Sequence, residues 1–322
     1  MEKIDILVIG RSCVDIISVV EQFPREDTKV PLLYRMKEGG GQGGNASCCI
    51  ARLGGKAAYY GHLGNDDEGK FCLKRLQDFH VETRYVKIMR DCATPVAYIF
   101  ITRESGKRTI MYERSTLPEL KLDRNLQMLI NSVKVILLDP EVTYLAQDMK
   151  NVVGDGISIV YDCERWHKDM PHMMAVADYF IPNFEFLQTR ELNLSGISFD
   201  QQIFHLAEMI NGCLVVTHGA EGAYYVYNDQ LLHVQAPTVT IKDTTGAGDN
   251  FHAAFSMAVS HGYDLPAAVK FSVAVASLSC REYGGRLGIP DLAEAHALAF
   301  TLEEQVASIK HSRRDAICNN FV

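Results

Sequence analysis

Short apolar runs alternate with amphipathic segments along most of the chain. The first run, DILVIG at 5–10, ends in glycine and is typical of a buried parallel strand. Further strands are predicted at 57–62, 133–138, 157–162, 179–182 and 213–217, and helices at about 68–80, 247–262 and 264–281. Strands that alternate with helices predict an α/β fold, an αβα sandwich with a doubly wound, mainly parallel sheet.

Two extended segments, at about 16–38 and 94–113, do not fit this alternation. Within the second, strand-like runs at 94–102 and 108–113 are joined by ArgGluSerGlyLys, which is a hairpin signal. These segments predict a small β-sheet lid over one edge of the large sheet. The chain has no repeat or flexible linker, so residues 1–322 are expected to form a single domain that contains this lid.

Composition and charge narrow the class of protein. Hydrophobic residues make up 47% of the chain and charged residues 22%, which is normal for a globular protein. A net charge of −8 disfavours nucleic acid and anionic membranes as partners. Nine cysteines without a CxxC pair, no apolar run long enough to span a bilayer and no signal-peptide pattern predict a cytoplasmic protein.

The segment IKDTTGAGDNF at 241–251 is the strongest chemical signal. It follows a strand-like stretch and opens a helix near Ala247, and its glycines let bare N–H groups approach a ligand. Unpaired N–H groups at a helix N-terminus favour an anion such as a phosphoryl group. Asp249, in the first turn, could accept a proton from an attacking hydroxyl. A capped helix with an acidic first turn explains Asp249 but not the glycines.

This segment resembles the C-terminal signature of the ribokinase (PfkB) carbohydrate kinases. The resemblance implies an ATP- and Mg²⁺-dependent sugar kinase in which Asp249 is the catalytic base. It also implies that the amides of Gly246, Ala247 and Gly248 form the anion hole. Asp243 and Thr245 match positions beside a monovalent-cation site, which makes K⁺ a further candidate cofactor.

The sugar-binding signature of that family is similar to GGGQGGNAS at 39–47. Gly41 and Gly44 would let sugar hydroxyls reach backbone groups, and Asn45 offers both a donor and an acceptor to a diol. Asp15 resembles the family's sugar-binding carboxylate. A purely structural role is open for both side chains: Asn45 could cap a helix, and Asp15 could be a solvated turn residue.

The nucleotide loop of the family resembles VTHGAEG at 216–222. The implied ATP contacts are Thr217, Gly219 and Gly222. The family's Asn-x-x-Glu motif, which helps to position Mg²⁺ and phosphates, corresponds to Asn183 and, one residue too early, Glu185. Either the loop shifts or Glu185 has a different role.

The N-terminal part further resembles ketohexokinases, at 15–27, at 43–47 and at 107–115. Arg108 in the last segment is a candidate for neutralising phosphate charge, and it could equally be an exposed hairpin arginine. Cys48 stands where ketohexokinases have a second asparagine. The sequence therefore leaves the sugar open among a ketohexose, ribose, a 2-keto-3-deoxy sugar acid and a phosphorylated or sulfonated sugar.

Two other functions have some support. Gly39, Gly41 and Gly44 satisfy the GxGxxG dinucleotide fingerprint, and Asp66 lies about the right distance beyond it, but a dehydrogenase leaves the 243–249 motif without a purpose. The displaced Glu185 is the only support for a catalytically weak sugar sensor. The family resemblance also predicts a homodimer that meets through the lid.

Overall fold

The structure, a computed structural model, describes residues 3–309. In chain order its strands are β1 (Ile6–Ile9), β2 (Cys13–Val20), β3 (Tyr34–Gly40), β4 (Ala57–Tyr60), β5 (His62–Gly64), β6 (Lys87–Met89), β7 (Val96–Thr102), β8 (Arg108–Tyr112), β9 (Val135–Leu138), β10 (Ser158–Cys163), β11 (Tyr179–Pro182), β12 (Cys213–Thr217), β13 (Ala223–Tyr227), β14 (Gln230–Val234) and β15 (Glu304–Ile309). The helices are α1 (Gln42–Arg52), α2 (Asp67–Asp78), α3 (Arg124–Ile130), α4 (Ala146–Val152), α5 (Met170–Val176), α6 (Phe199–Met209), α7 (Ala247–Ser260), α8 (Leu265–Ser279), α9 (Gly284–Leu287) and α10 (Leu292–Thr301).

The large sheet has the strand order β15-β14-β13-β12-β11-β10-β9-β1-β4. The six strands from β12 to β4 pair in parallel, and β13, β14 and β15 continue the sheet in antiparallel pairs. Helices α1, α7 and α8 cover one face, and α3 to α6 cover the other. Fold and sheet type agree with the α/β prediction.

Alternate residues of the central strands supply the two cores. Ile6 and Val8 of β1 pack toward α1, α7 and α8, whereas Leu7 and Ile9 pack toward the opposite helices. All four side chains are fully buried. A strand that is covered on both faces needs apolar residues at every position, which is why Ile6–Ile9 is one unbroken apolar run.

A second, smaller sheet has the order β3-β2-β7-β8, and we call these four strands the small sheet. They come from the two segments that broke the alternation, although β2 begins at Cys13 and β3 extends to Gly40. The predicted hairpin is present as the antiparallel pair β7 and β8. Its buried core includes Ile17, Val19 and Ile99. The small sheet packs against the large domain and shares a cavity with it.

The main differences from the predicted elements concern α1, the strand at 57–62 and β15. Helix α1 begins at Gln42 after Gly41, so Asn45 lies inside the helix and is not its N-cap. The strand predicted at 57–62 ends at Tyr60, and a separate strand begins at His62. The edge strand β15 was not predicted from the sequence. Among the helices within residues 3–309, none is long and apolar enough to cross a bilayer.

Candidate active site

A cavity of about 410 Å³ lies between the small sheet and the carboxyl ends of the parallel strands. We call it the central cavity. The carboxyl ends of parallel strands are where α/β sheets bind ligands. The predicted site residues that line it are Asp15, Gly41, Asn45, Arg108, Asn183, Thr217, Thr245, Gly246, Gly248 and Asp249. Residues separated by more than two hundred positions in the chain therefore share one site.

The N-terminus of α7 faces this cavity. Gly246 precedes the helix with a φ of 76°, and a Cβ at that position would lie 2.5 Å from the Cα of Gly285. Only glycine therefore fits. No side chain caps the helix, and a Cβ on Gly248 would meet no atom within 4 Å. The first turn thus presents N–H groups to open space, the arrangement that binds an anion.

Asp249 lies in that first turn and is held by Asn45. The Asn45 Nδ2 donates a hydrogen bond to Asp249 Oδ2 at 2.8 Å. Burial raises the pKa of the Asp249 carboxyl, whereas Asn45, His252 and Arg108 lower it. A carboxyl group with a raised pKa is a stronger proton acceptor than an exposed aspartate. The geometry and the direction of the pKa shift both suit a general base.

His252 fixes the same turn from behind. Its Nδ1 lies 2.6 Å from the carbonyl oxygen of Gly248, and its Nε2 lies 3.1 Å from that of Ile181. Asp162 Oδ1 is 3.5 Å from Nε2. Burial lowers the pKa of His252 and raises that of Asp162. The imidazole therefore joins the start of α7 to the end of β11.

Asp15 lies on β2, on the cavity side of the small sheet. Its side chain is 4% exposed, and the thiol of Cys13 donates to Oδ1 at 3.3 Å. Burial raises the pKa of Asp15 to about 7. Because this carboxyl group is buried in a strand, Asp15 is not a solvated turn residue.

Arg286 lies behind the glycine-rich loop and was not predicted from the sequence. Arg286 is 1% exposed, and its Nε donates to Asn45 Oδ1 at 2.9 Å. A Cβ on Gly39 would lie 2.2 Å from Arg286 Nη1, and one on Gly44 would lie 2.6 Å from Nη2. Gly44, which we predicted to contact the substrate, does not line the central cavity. The reason for glycine at this position is the space that Arg286 needs.

Asp243 and Thr245 hold the loop before α7. Asp243 is fully buried, and its Oδ1 accepts hydrogen bonds from Thr245 N at 2.9 Å and from Thr245 Oγ1 at 2.7 Å. Its Oδ2 accepts from Gly284 N at 2.8 Å. These bonds give Asp243 a structural role. Residues 3–309 contain no cluster of three His, Cys, Asp or Glu side chains that could hold a metal ion.

The nucleotide side of the predicted site is only partly in the cavity. Thr217, at the end of β12, forms a parallel bridge with Asn183, and both line the cavity. Gly219 is exposed in the loop that follows, with φ 53°. Gly222 is buried, and a Cβ there would lie 2.1 Å from the carbonyl oxygen of Val234. Neither glycine lines the central cavity, and Gly222 is required by the tight packing of its own turn.

Glu185, a predicted metal residue, is exposed and lies outside the cavity lining. The 3₁₀ helix Phe184–Gln188 buries Phe186 and Leu187, and this packing turns Glu185 toward solvent. Asn183 caps that helix by accepting from Phe186 N at 2.9 Å. Glu164, which follows β10, does line the cavity, and its carboxylate accepts a hydrogen bond from Gln42 at 3.1 Å.

Arg108 connects the small sheet to the loop before α7. Its Nη1 donates to Thr244 Oγ1 at 2.7 Å. The adjoining turn is also close, because a Cβ on Gly106 would lie 3.3 Å from Ile241 Cγ2. The side chain is exposed overall but lines the cavity. Arg108 thus reaches the loop before α7 from the side of the small sheet.

Comparison with known proteins decides the family. The model of the pfkB family of carbohydrate kinases matches residues 3–292. The chain belongs to this family. The predicted enzyme class, a carbohydrate kinase that transfers a phosphoryl group to an alcohol, is thereby confirmed.

The similar proteins span almost the whole chain. A ribokinase from Bacillus subtilis is 26% identical over 91% of this chain and 99% of its own length. A nucleoside kinase from Methanothermobacter thermautotrophicus is 25% identical over 91% of this chain and 95% of its own length. Because a ribokinase and a nucleoside kinase are about equally identical to this chain, sequence similarity does not identify the acceptor. The closeness to ketohexokinases stays a prediction.

Solved structures confirm the fold. A ribokinase from Arabidopsis thaliana, complexed with ribose and ATP, has a TM-score of 0.77 and 22% identity, over 92% of this chain and 99% of its own. A structure described as a putative ribokinase from Agrobacterium tumefaciens has a TM-score of 0.83 and 22% identity, over 93% and 98%. The central cavity lies at the carboxyl edge of this shared fold.

The residues in the cavity fit a Mg²⁺-bound phosphate chain. Mg²⁺ prefers oxygen ligands and keeps several waters, so it needs only one or two carboxylates beside the phosphates. Asp162, Glu164 and Asn183 supply such oxygens to the cavity wall. Asp162 and Glu164 could have been found in the sequence, because acidic residues at the end of a predicted parallel strand point to the ligand-binding edge.

Proposed function

We propose that this chain transfers the γ-phosphoryl group of ATP to a hydroxyl of a small sugar or sugar acid, with Asp249 as the general base. One observation carries the proposal. Asp249 stands in an uncapped helix turn and shares a cavity with Asp15 and Asn45 on one side and with Thr217 on the other. The proposed base, the proposed anion site and the surfaces proposed for the sugar and the nucleotide thus adjoin one cavity.

The sugar would bind beside Asp15, Gly41 and Asn45. Asp15 can accept hydrogen bonds from two hydroxyls once it is ionised. Gly41 has a φ of 80°, and a Cβ there would lie 2.7 Å from the carbonyl oxygen of Arg11. Only glycine therefore lets the loop pack this closely against the backbone of Arg11. A hydroxyl placed next to Asp249 would lose its proton as it attacks phosphorus.

The moving phosphoryl group would be stabilised by the amides at 246–248 and by Arg108. Donors aimed at developing charge lower the barrier most when water is excluded. Mg²⁺ would be held through Asp162, Glu164 and Asn183, directly or through water, and would neutralise phosphate charge when bound.

The nucleotide would lie along Thr217 and the loop at 218–222. The exposed Gly219 leaves this loop open to a ligand, and a Cβ on Gly219 would meet no atom within 4 Å. Gly222 would act indirectly, by shaping the turn. Similar proteins of known structure include a complex with ADP and one with ATP and Mg²⁺. K⁺ beside the loop of Asp243 and Thr245 is a further proposal.

The small sheet would act as a lid. Its inner residues Ala97, Ile99 and Ile110 line the cavity, so movement of the sheet would open or close the site. Closure would exclude water and suppress hydrolysis of ATP. Exposed apolar side chains on its strands, such as Tyr98 and Met111, suit a homodimer that meets through this sheet.

A coupled assay of ADP release over neutral, acidic and phosphorylated sugars tests the proposal. Asp249→Asn keeps the size of the side chain and should lower kcat by about 10²- to 10⁴-fold. Glu185→Gln removes an exposed carboxylate near the site and serves as the matched control, with activity unchanged. Equal activity of Asp249→Asn and the unmodified protein would exclude Asp249 as the base. Sugar binding without ADP release from any sugar would favour the sensor.

A further inference from the structure

A second cavity, of about 320 Å³, adjoins the central cavity. The two cavities share Arg11, Glu141 and Arg165 in their walls. The rest of the second cavity is mixed: the apolar and aromatic residues Leu117, Pro118, Leu120, Val142, Tyr144 and Trp166 lie beside the polar residues His62, Ser115, Glu119 and His167. A ligand in the central cavity can therefore extend past the three shared residues into additional space.

The strand order places the second cavity away from the nucleotide. Thr217 ends β12, and Asn183 follows β11. Arg11 follows β1 and Glu141 follows β9, on the other side of β10 in the sheet. A substrate that presents its hydroxyl to Asp249 would thus direct its far end toward Arg11 and Glu141. The second cavity belongs to the acceptor side of the reaction.

Two guanidinium groups share one carboxylate at the junction of the cavities. Arg11 Nη2 donates to Glu141 Oε2 at 2.5 Å, and Arg165 Nη2 donates to Glu141 Oε1 at 2.6 Å. These three side chains carry a net charge of about +1 at neutral pH. No other hydrogen bond from either guanidinium group occurs within residues 3–309. Each arginine retains donors for a ligand, and a guanidinium group is well matched to a carboxylate or phosphate.

A buried carboxyl group holds this junction in place. Asp139 is 2% exposed, and its Oδ2 accepts from the backbone N–H of Arg11 at 2.5 Å. Its Oδ1 accepts from the backbone N–H of Glu141 at 3.0 Å. A Cβ on Gly10 would lie 2.0 Å from the Asp139 carboxylate, so the chain must have glycine there. Arg11 and Glu141 are thus fixed relative to each other through the interior of the fold, unlike a mobile surface ion pair.

We propose that the acceptor sugar carries an anionic substituent, a carboxylate or a phosphate, that binds Arg11 and Arg165 at the mouth of the second cavity. The proposal rests on the kinase function proposed above and names its substrate class. Glu141 would orient the two arginines and remain available to a sugar hydroxyl. Apolar side chains of the wall, such as Leu120 and Trp166, would contact the carbon atoms of the sugar next to the anionic group. Exclusion of water there would strengthen the charged contact.

Matched pairs of acceptors test this proposal. Gluconate with sorbitol, and fructose 6-phosphate with fructose, each differ chiefly by the anionic group and separate the carboxylate from the phosphate. In the coupled assay, the anionic member of at least one pair should show kcat/KM about tenfold or more above the neutral member. Neutral members that react as well as anionic members in both pairs would overturn the proposal while leaving the kinase function intact.

Two variants make the test specific. Arg165 is 60% exposed, so Arg165→Gln should fold, and it should remove most of the preference for the anionic member. Arg84 is 44% exposed and pairs with Glu82 near the amino ends of the strands, so Arg84→Gln is the matched control and should keep the preference. If Arg165→Gln lowers kcat/KM equally for both members of the preferred pair, Arg165 does not bind the anion.

Calorimetry gives a readout that does not depend on turnover. With a non-hydrolysable ATP analogue bound, the anionic member should bind about tenfold more tightly than the neutral one, and Arg165→Gln should abolish the difference. If no sugar releases ADP but this difference in affinity persists, the proposed function fails and the anion site stands. If affinities are equal in both pairs, the anion site fails.

Discussion

Arg286 and Asn45 are joined by a hydrogen bond of 2.9 Å from Nε to Oδ1, across 241 positions of the chain. The other end of the same amide, Nδ2, donates to Asp249 at 2.8 Å. Arg286 Nη2 also donates to the carbonyl oxygen of Gly40 at 3.0 Å, and its Nη1 is buried without a partner in the part of the chain that the structure describes. Arg286 thus fixes which end of the Asn45 amide faces the Asp249 carboxylate.

Replacing Arg286 should impair catalysis through Asn45. In Arg286→Met the amide loses the donor that orients it, and we expect kcat to fall about 10- to 100-fold, equivalent to about 1–3 kcal/mol for an interaction of this kind. Arg286 also lowers the pKa of Asp15, so the variant should move the pH profile of sugar KM to higher pH. Steady-state kinetics over a pH series measures both effects.

A double-mutant cycle provides the control. If Arg286 acts by positioning Asn45, the losses from Arg286→Met and Asn45→Ala should not add in the double variant. Additive losses, or a pH profile that does not move, would show that Arg286 serves the fold alone. Thermal unfolding of Arg286→Met shows whether a loss of activity comes with a loss of stability. Replacing a buried charge that has no ion-pair partner by an apolar side chain need not destabilise the protein.

Gly246 and Gly248 should respond differently to alanine. Gly246→Ala places a side chain at φ 76°, against the backbone of Gly285, and should cost on the order of 1–3 kcal/mol of stability together with most activity. Gly248→Ala adds a methyl group to open space in the cavity, so stability should be almost unchanged while KM for ATP rises. Denaturant unfolding and ATP kinetics measure the pair. Equal stability of the two variants would contradict the steric argument.

Sugar binding should depend on the ionisation of Asp15. The pKa of this carboxyl group is about 7, and only the ionised form accepts hydrogen bonds at both oxygens. Affinity for the sugar should therefore rise with pH through about 7. Calorimetric titrations between about pH 5.5 and 8.5 cover the range over which this group titrates, and Asp15→Asn should show weaker binding without this pH dependence.

The same group should affect stability in the opposite direction. The folded-state pKa of about 7 lies above the usual 3.8, so the unfolded chain releases this proton first as the pH rises. The free energy of unfolding should decrease because of Asp15 between about pH 4 and 7, and Asp15→Asn should abolish this contribution. If the stability of Asp15→Asn declines as steeply with rising pH as that of the unmodified protein, another group causes the decline. Asp139 is then the first candidate.

Glu164 should matter to Mg²⁺ more than Glu185. Glu164 lines the central cavity, whereas Glu185 is exposed outside it. We expect Glu164→Gln to raise the Mg²⁺ concentration needed for half-maximal activity several-fold, and Glu185→Gln to leave it unchanged. Titration of Mg²⁺ at fixed ATP compares the two isosteric variants. A shift in Glu185→Gln alone would mean that the loop after β11 rearranges when nucleotide binds.

Local sequence patterns were sufficient for the parallel strands of the large sheet, for α7 and for the turn before it, but not for β15. An unbroken apolar run such as 6–9 suits a strand that is covered on both faces, and glycines before Asp249 suit a tight turn into a helix. Both relationships act between neighbouring residues. The same local reasoning misplaced the start of α1, because Gly41 becomes the N-cap, with a φ of 80°, through its close packing against Arg11 and Ser12.

Only the tertiary structure decided which residues that are far apart in the chain contact one another. The spacing of Glu185 from Asn183 does not show that a 3₁₀ helix turns its side chain to solvent, nor that Glu164 lines the cavity. Arg286 carries no motif, and its role exists because α9 packs behind the glycine-rich loop. Asp249 and its helix are local features of the sequence, whereas the side chains that contact Asp249 and line the cavity depend on which strands are neighbours in the sheet.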